Sequence, residues 1–596
     1  MKQVIFFFSF IISFASIGQV EESVDVITQR HAASLSFKTT AIDDTISLPV
    51  IDEFTSQSTY PNPEIWVDNF VLINSTHSEN PLSIGVATFD GLNENGFPYH
   101  PTNNSSDTLA DVLTSKYFDL RGENNVFLSF HYQGGGLGEA PGPDDSLVVE
   151  FWTPADSTWE QVWTKKGSKM SIFKPAIIAV DSSKWLQNGF RFRFGAYGAR
   201  NGAFDVWNID YFYFSDNRNP GDSIAKDPAF IEQLPSITKT YSSVPWFHFN
   251  NNLLKDTVVT KYRRNGPTPS PPWSLTKDKF TLVRNGIVEE TSAGFVNSND
   301  PHNVDLDNPM FINTFNPPPA TEAFSLGMAC VLPGTKVEPF TANDTLIGRQ
   351  EFKNYYAYDD GTAERAYGVK SNTFGPRMAI RLQAEQPDSL KGVYFRFVHG
   401  GIDASQYTFK ICIWESNNGE PGNLIYQSDS NYTPDYGYYH NSFIPYQLDT
   451  SAIYLNGPVY IGYRQNTNDE TDIIHVGLDI NTPKATPVFY GDLFFWYESQ
   501  AQGTVMLRPY FKYQPFDLGF AENEGASIKI YPNPVDDILY VESESALEYW
   551  ISDISGRAVQ HGKTDGSINL ADLNAGLYII TFEDKGQTFL EKIIVQ

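Results

Sequence analysis

Cysteine is nearly missing from this chain: its 596 residues hold two, Cys330 and Cys412. That excludes a scaffold stapled by disulfides. The two can form one bridge in an oxidising compartment or stand as two buried thiols, and their spacing does not decide between these. Cations are also short, with 42 Lys and Arg against 71 Asp and Glu for a net charge of −29. A nucleic-acid partner needs a basic surface for its phosphates, so that class falls away. After the N-terminus no segment has the ~20 apolar residues of a transmembrane helix. Long amphipathic helices are equally scarce.

Catalytic strings are missing too. The ten histidines include no H-E-x-x-H pair for zinc. There is no G-x-S-x-G elbow and no phosphate-binding G-x-x-x-x-G-K-[ST] loop. The E-x-D-x-x-E strand motif, which aims three carboxylates into the cleft of sandwich enzymes that cut β-glucans, is absent as well. Glu150 is a lone strand carboxylate, read as facing solvent.

What is present is aromatic and turn-rich: 15% Phe, Trp and Tyr, with 43 Gly and 37 Pro. That composition suits many short strands closed by turns, so the expected class is mainly β, in about three to five domains. Residues 19–51 are polar and weakly patterned and read as a leader. Over 52–215 the alternation is strong. Val126, Leu128, Phe130 and Tyr132 share one face of a strand, as do Leu147, Val149 and Phe151. Phe190, Phe192 and Phe194 oppose Arg191 and Arg193, and Trp207, Ile209, Tyr211 and Tyr213 are expected on one side of a closing strand. The F-R-F strand followed by D-x-W-x-I-D resembles jelly-roll modules related to MAM and concanavalin-like domains. Residues 216–350 carry the Pro-rich connectors 267–273 and 316–320 and suggest a smaller immunoglobulin-like sandwich. Residues 355–515 return to period two and suggest a second jelly roll. The expectation is jelly-roll and immunoglobulin-like β-sandwiches in series, as beads on a line.

The two ends speak of export. Lys2 precedes an apolar run from Val4 to Phe14, with Ser16 and Gly18 at the −3 and −1 positions of a cleavage site, so residues 1–18 read as a removable signal peptide. At the other end, 527–596 carries YPNP (Tyr531, Pro532, Asn533, Pro534), DISGR with Gly556 and Arg557, LNAGLYII with Gly576 and Tyr578, and a closing KIIVQ that begins at Lys592. Short apolar runs between Pro, Asn, Asp and Gly suggest a small β-sandwich, with YPNP as a rigid strand exit and Gly556 and Gly576 at turns needing positive φ. In order and position these motifs resemble the type A C-terminal sorting domain of the type IX secretion system of Bacteroidetes. The resemblance implies Sec export, delivery to the cell surface or medium, and recognition by the outer-membrane translocon and its shuttle protein. It also implies removal by a sortase-like peptidase that can join the cargo to lipopolysaccharide.

Three groups of residues are candidates for chemistry. Oxygen-rich clusters suit calcium, above all Asp359, Asp360 and Glu364 around a turn at Gly361, with Asp144 and Asp145, and Asp469, Glu470 and Asp472, as further acidic turns. Solvated acidic turns are the default reading of each. Trp152, Trp159, Trp163, Trp414, Trp496 and Tyr497 can stack on sugar faces or fill a sandwich core. An Asp-Ser or Asp-Thr step recurs with its hydroxyl at Thr45, Thr108, Ser146, Ser157, Ser223, Thr257, Thr345 and Ser389. It is similar to the O-glycosylation sequon of exported Bacteroidetes proteins, and it equally matches turns that precede strands. The functional expectation is a non-catalytic adhesion or glycan-binding protein. A secreted hydrolase acting on polysaccharide or protein is the alternative, and a structural part of the envelope or gliding surface the third.

Overall fold

The structure, a computed structural model, describes residues 20–30, 45–55, 58–102, 108–266, 279–284, 287–293, 301–312, 315, 322–332, 340–372, 374–437, 440–450, 452–467, 469–511, 528–533, 535–543, 546–553, 558–574, 576–584 and 587–595. The signal segment 1–18 and both Pro-rich connectors lie outside them. Strands dominate, and the only helices among the described residues are the 3-10 turns Asn251–Leu253 and Ala342–Asp344. The chain is a multi-domain assembly of β-sandwiches.

The first sandwich follows from period-two alternation. One sheet runs Lys174–Val180, Val126–Gly134, Trp207–Ser215, Val86–Phe89, Leu72–Asn74, with Val50–Asp52 also on Trp207–Ser215. The facing sheet runs Thr158–Lys166, Ser146–Thr153, Phe192–Tyr197, Leu109–Thr114. Phe190, Phe192 and Phe194 are fully buried between them, each burial stabilising by about 1.5–3 kcal/mol. The closing strand corrects the expected alternation. Trp207 and Ile209 point inward, but Tyr211 takes a left-handed φ of 50° and the register against Val126–Gly134 slips between Asp210 and Tyr213. After this bulge Phe212 and Phe214 take over the core face. Tyr211 instead packs edge-on against Phe340, 5.0 Å away, at the seam with the next region.

Residues 228–352 form a three-stranded sheet (Pro228–Phe230, Thr257–Arg264, Asp305–Phe311) and a four-stranded sheet (Ile287–Ala293, Lys279–Arg284, Phe324–Val331, Thr345–Phe352). Downstream, a six-stranded sheet ordered Glu420–Gln427, Phe409–Asn417, Val459–Gln465, Arg377–Leu382, Val488–Gly491, Trp496–Glu498 is accompanied by smaller sheets. The expectation of separate beads fails here. One apolar cluster runs unbroken from Phe230 to Phe511, and Tyr241 packs on Tyr356 and Tyr358 at 4.7 and 4.9 Å. Cys330 and Cys412 are both buried and neither is in a disulfide. Burial pushes the Cys412 thiol up to about 12, which makes it an inert packing group.

The segment expected to be a mere leader does more. Val20–Asp25 pairs antiparallel with Arg365–Ser371, Val20 opposite Ser371 and Asp25 opposite Ala366. The strand is pinned by side chains as well as by its ladder. Glu22 accepts hydrogen bonds from Gln500 N at 2.9 Å, from Tyr367 OH at 3.2 Å and from the Ser499 hydroxyl. Asp25 meets buried His475 at 3.0 Å, and that bond holds the carboxyl below its usual range. Removing one partner of such a network costs about 1–3 kcal/mol. Glu22→Ala is therefore expected to speed amide exchange across residues 365–371, measured by hydrogen–deuterium exchange on the full chain. Unchanged protection there would show that the side-chain clamp contributes nothing.

Candidate functional site

The C-terminal unit packs a three-stranded sheet (Lys529–Tyr531, Ile538–Glu542, Ser567–Asn569) on a four-stranded one (Ala558–Thr564, Leu547–Asp553, Gly576–Asp584, Gln587–Val595). Its core includes Leu539, Ile551, Ile580, Phe582 and Ile593. The motif residues join its ends. Asn533 of YPNP donates to Lys592 O at 2.6 Å and accepts from Ile594 N at 2.8 Å, tying the first strand exit to the last strand. Tyr578 is buried and donates to Asn574 O at 2.8 Å. Tyr531 stacks on Tyr540 at 5.6 Å and donates to Glu542, and both rings stay partly exposed. Gly576 corrects an expectation: its φ is not positive, because it opens a strand, opposite Val595. Pro534, Gly556 and Arg557 lie outside the described residues.

Lys592 reaches out of its own unit. Its ammonium donates to Ala342 O at 2.9 Å and faces Glu53, which accepts from Thr341 N at 2.8 Å and Asn343 N at 2.7 Å. Beside this contact Leu590 lies over Gly327, where a side chain would run into it. Burial pushes both Glu53 and Glu591 up to about 7, against the pull of Lys592. Their protonated forms are thus favoured in the folded protein. That contribution is complete below the ordinary carboxyl value of 4.5 and is lost as pH rises through about 7. Docking of the C-terminal unit is expected to loosen between pH 5.5 and 8, read as faster exchange over residues 587–595. Gly327→Val should loosen it at either pH, and protection unchanged by both would remove this contact from the account.

The calcium candidates do not converge. Asp359 is buried and bound by Arg508 at 2.6 Å, and it caps Gly361, whose φ of 100° makes the expected turn. Asp360 accepts from the amide and hydroxyl of Thr362, both at 2.7 Å. Glu364 accepts from Ile480 N at 3.1 Å and lies near enough to Asp360 for the two carboxyls to repel each other. Among the described residues no group of three or more His, Cys, Asp or Glu is arranged to hold a metal. Asp145 caps Gly142 and Asp469 caps Thr471, so these are side-chain-closed turns. Of the hydroxyls in Asp-Ser and Asp-Thr steps, Ser146 and Thr345 are buried and out of reach in the folded chain. Thr45, Thr108, Ser157, Ser223, Thr257 and Ser389 keep some exposure.

The aromatic candidates divide in two. Trp163 packs edge-on against Phe130 at 5.2 Å, and Trp414 is 2% exposed, so both are core. Trp152 and Trp159 sit on the outer face of the first sandwich, but guanidiniums cover them. Arg191 lies 5.4 and 5.2 Å from their centroids and Arg193 lies 4.4 Å from Trp159, tied back to Glu150 at 2.6 Å. Glu150 thus holds Arg193 rather than standing alone in solvent. Trp496 is likewise covered by Arg377 at 4.0 Å. Tyr497 stays open at 45%, beside a turn whose rings alternation does not reveal: Phe494 at 77% and Phe495 at 58%. Asp492 accepts from both their amides, at 2.8 and 2.9 Å, which fixes the turn and holds the rings outward.

Comparison with known proteins decides the C-terminal unit. Residues 529–596 match the model of the secretion system C-terminal sorting domain. This chain is a type IX secretion cargo. Its sorting domain directs it out of the cell, to the medium or the outer-membrane surface, through interaction with the type IX machinery. No helix among the described residues is long and apolar enough to cross a membrane. No curated protein matches the chain. A solved glycoside hydrolase domain, Endo-D from Streptococcus pneumoniae R6, aligns at 8% identity over 52% of this cargo and 43% of that chain, under half its length, with a TM-score of 0.18. A likeness that low carries no argument about the cargo's fold or activity.

Proposed function

We propose that the cargo is a non-catalytic adhesion or glycan-binding protein of the cell surface or surrounding medium. The observation that supports it best is the turn at Leu493, Phe494 and Phe495 with the neighbouring Tyr497, all more than 40% exposed on one edge of the six-stranded sheet. Large apolar rings cost free energy when left in water, and a clustered, backbone-fixed set is what a contact surface requires. Phenyl and phenol faces suit the C–H faces of sugars, and an aromatic turn at a sheet edge reaches a flat polymer without a pocket. The turn's backbone is already fixed by Asp492, so binding need not order it. The sorting domain supplies the compartment in which such a surface meets its ligand. In this reading the translocon, the shuttle protein and a sortase-like peptidase handle the sorting domain, and joining to lipopolysaccharide would keep the adhesive sandwiches at the cell.

The full chain is expected to bind a glycan array or insoluble polysaccharide, and the double variant Phe494→Ala with Phe495→Ala to lose about tenfold or more in affinity, equivalent to about 1.4 kcal/mol, with unchanged near-ultraviolet dichroism. Absence of binding to any glycan or surface would sink the reading. Hydrolysis of polysaccharide or casein that one carboxylate substitution abolishes would replace it with a secreted hydrolase.

A further inference from the structure

The outer face of the six-stranded sheet gathers cations in a chain that has few, 42 against 71 acidic residues. Register sets Lys410 opposite Arg464 and Arg464 opposite Arg377, so three positive side chains stand in one row across three adjacent strands. They point away from the main core, because their sequence neighbours Ile411, Tyr463 and Met378 fill it. Like charges directly opposite one another destabilise a sheet.

The three are not equally occupied. Lys410 donates to Ser428 O and Asp429 O, both at 2.8 Å. Arg377 and Arg464 are half-buried, yet among the described residues neither guanidinium makes an ion pair or a hydrogen bond, and the Nε of each is buried with no acceptor. Asp492, the carboxylate that acts on Arg377, is itself buried and spends its Oδ1 on the amides of Phe494 and Phe495. Burial brings Arg377 down to about 10, with Asp492 opposing and Arg464 adding to the shift, so the side chain stays charged at neutral pH. Guanidiniums this far out of water are ordinarily met by acceptors.

Rings frame the pair. Arg377 lies 4.0 Å from the Trp496 centroid, and stacking on a ring leaves the in-plane N–H groups free to bond sideways. Arg464 lies 5.9 Å from the centroid of exposed Phe374. Gly375 lets the aromatic turn close up on this arginine: its φ is 78°, and a Cβ there would stand 3.2 Å from both Arg464 Cδ and Leu493 Cδ2. The arginines and the turn are therefore one continuous surface. A guanidinium edge matches a planar carboxylate with two parallel bonds, and the rings match the C–H faces of a sugar. The negative charge of the whole chain is screened beyond about 8 Å at physiological salt, so the local pair decides what is held there.

We propose that Arg377 and Arg464, with the aromatic turn beside them, bind an acidic polysaccharide through the carboxylates of its uronate units. The proposal rests on the glycan-binding reading and narrows it to one ligand class. Calorimetric titration of the full chain with polygalacturonate and alginate tests it, with methyl-esterified polygalacturonate as the uncharged counterpart and dextran sulfate as a tetrahedral anion. At least one uronate polymer is expected to bind about tenfold or more tightly than either control. Arg464→Gln should remove most of that advantage, and since this side chain meets only the segment at 374–375 and the turn, near-ultraviolet dichroism should be unchanged. Arg377→Gln should act in the same direction. Equal or tighter binding of the ester or of dextran sulfate, or full uronate affinity in both arginine variants, would overturn the proposal. If neutral glycans bind, fall away with the Phe494→Ala and Phe495→Ala variant and are not outdone by uronates, the arginine site is rejected while the glycan reading stands. Absence of binding to every glycan would remove both.

Discussion

The pairing of Val20–Asp25 with Arg365–Ser371 is the constraint on which the arrangement depends, because it joins residues separated by more than half the chain. Closing so long a loop costs only slowly growing entropy, so a six-residue ladder with side-chain anchors can hold it. Its consequences spread outward. The chain that leaves Asp25 must pass between the first sandwich and the downstream sheets. On the way Arg30 pairs with Asp90, and Thr28 N donates to His399 O at 2.7 Å. Without that strand the two bodies would share less surface.

The seams are polar where the cores are not. Inside the first sandwich the contacts are rings on rings, such as Phe192 on Phe212 and Phe214 at 5.4 Å. At the seam with the second region the partners are instead Tyr211, Asp227 and Asn343, with Tyr211 OH donating to Asp227 at 2.7 Å and Asn343 donating to the same carboxylate at 2.8 Å. Glu53 with the backbone of 341–343, and Lys592 with Ala342, continue that pattern to the sorting domain. Apolar burial supplies most of the stability, whereas buried polar contacts demand particular geometry and so fix how the sandwiches meet. The left-handed Tyr211 is what turns one strand to serve both purposes, core before it and seam at it.

How much was legible follows the same division. Period-two alternation identified the strands holding Leu147, Val149 and Phe151 and those holding Phe190, Phe192 and Phe194, because one buried face imposes one pattern. The sorting domain was legible because its motifs occupy turns and ends with specific backbone needs. The slip at Tyr211 was not, since a bulge inserts a residue without changing composition. Nor were the roles of polar residues. Asp359, Asp360 and Glu364 are close in sequence and read as one cation site, yet Arg508, Thr362 and Ile480 already take up their oxygens. Trp152 and Trp159 were visible as aromatics, but the arginines covering them come from another strand. The contacts of Thr28 and Arg30 were invisible, because His399 and Asp90 lie far off in sequence and meet that segment only in the folded chain.

That distribution bears on how a cargo and its address coexist. The sorting domain has its own apolar core, so its folding need not await the rest of the chain. Its attachment is different in kind: Leu590 over Gly327, and a lysine facing a carboxylate whose protonation favours the contact. The ionisable groups at this contact make it sensitive to pH, whereas the interior of the sorting domain is apolar and is not. The exposed aromatic turn lies on elements that the sorting domain does not build, so that surface is formed without the segment that directs the cargo outward.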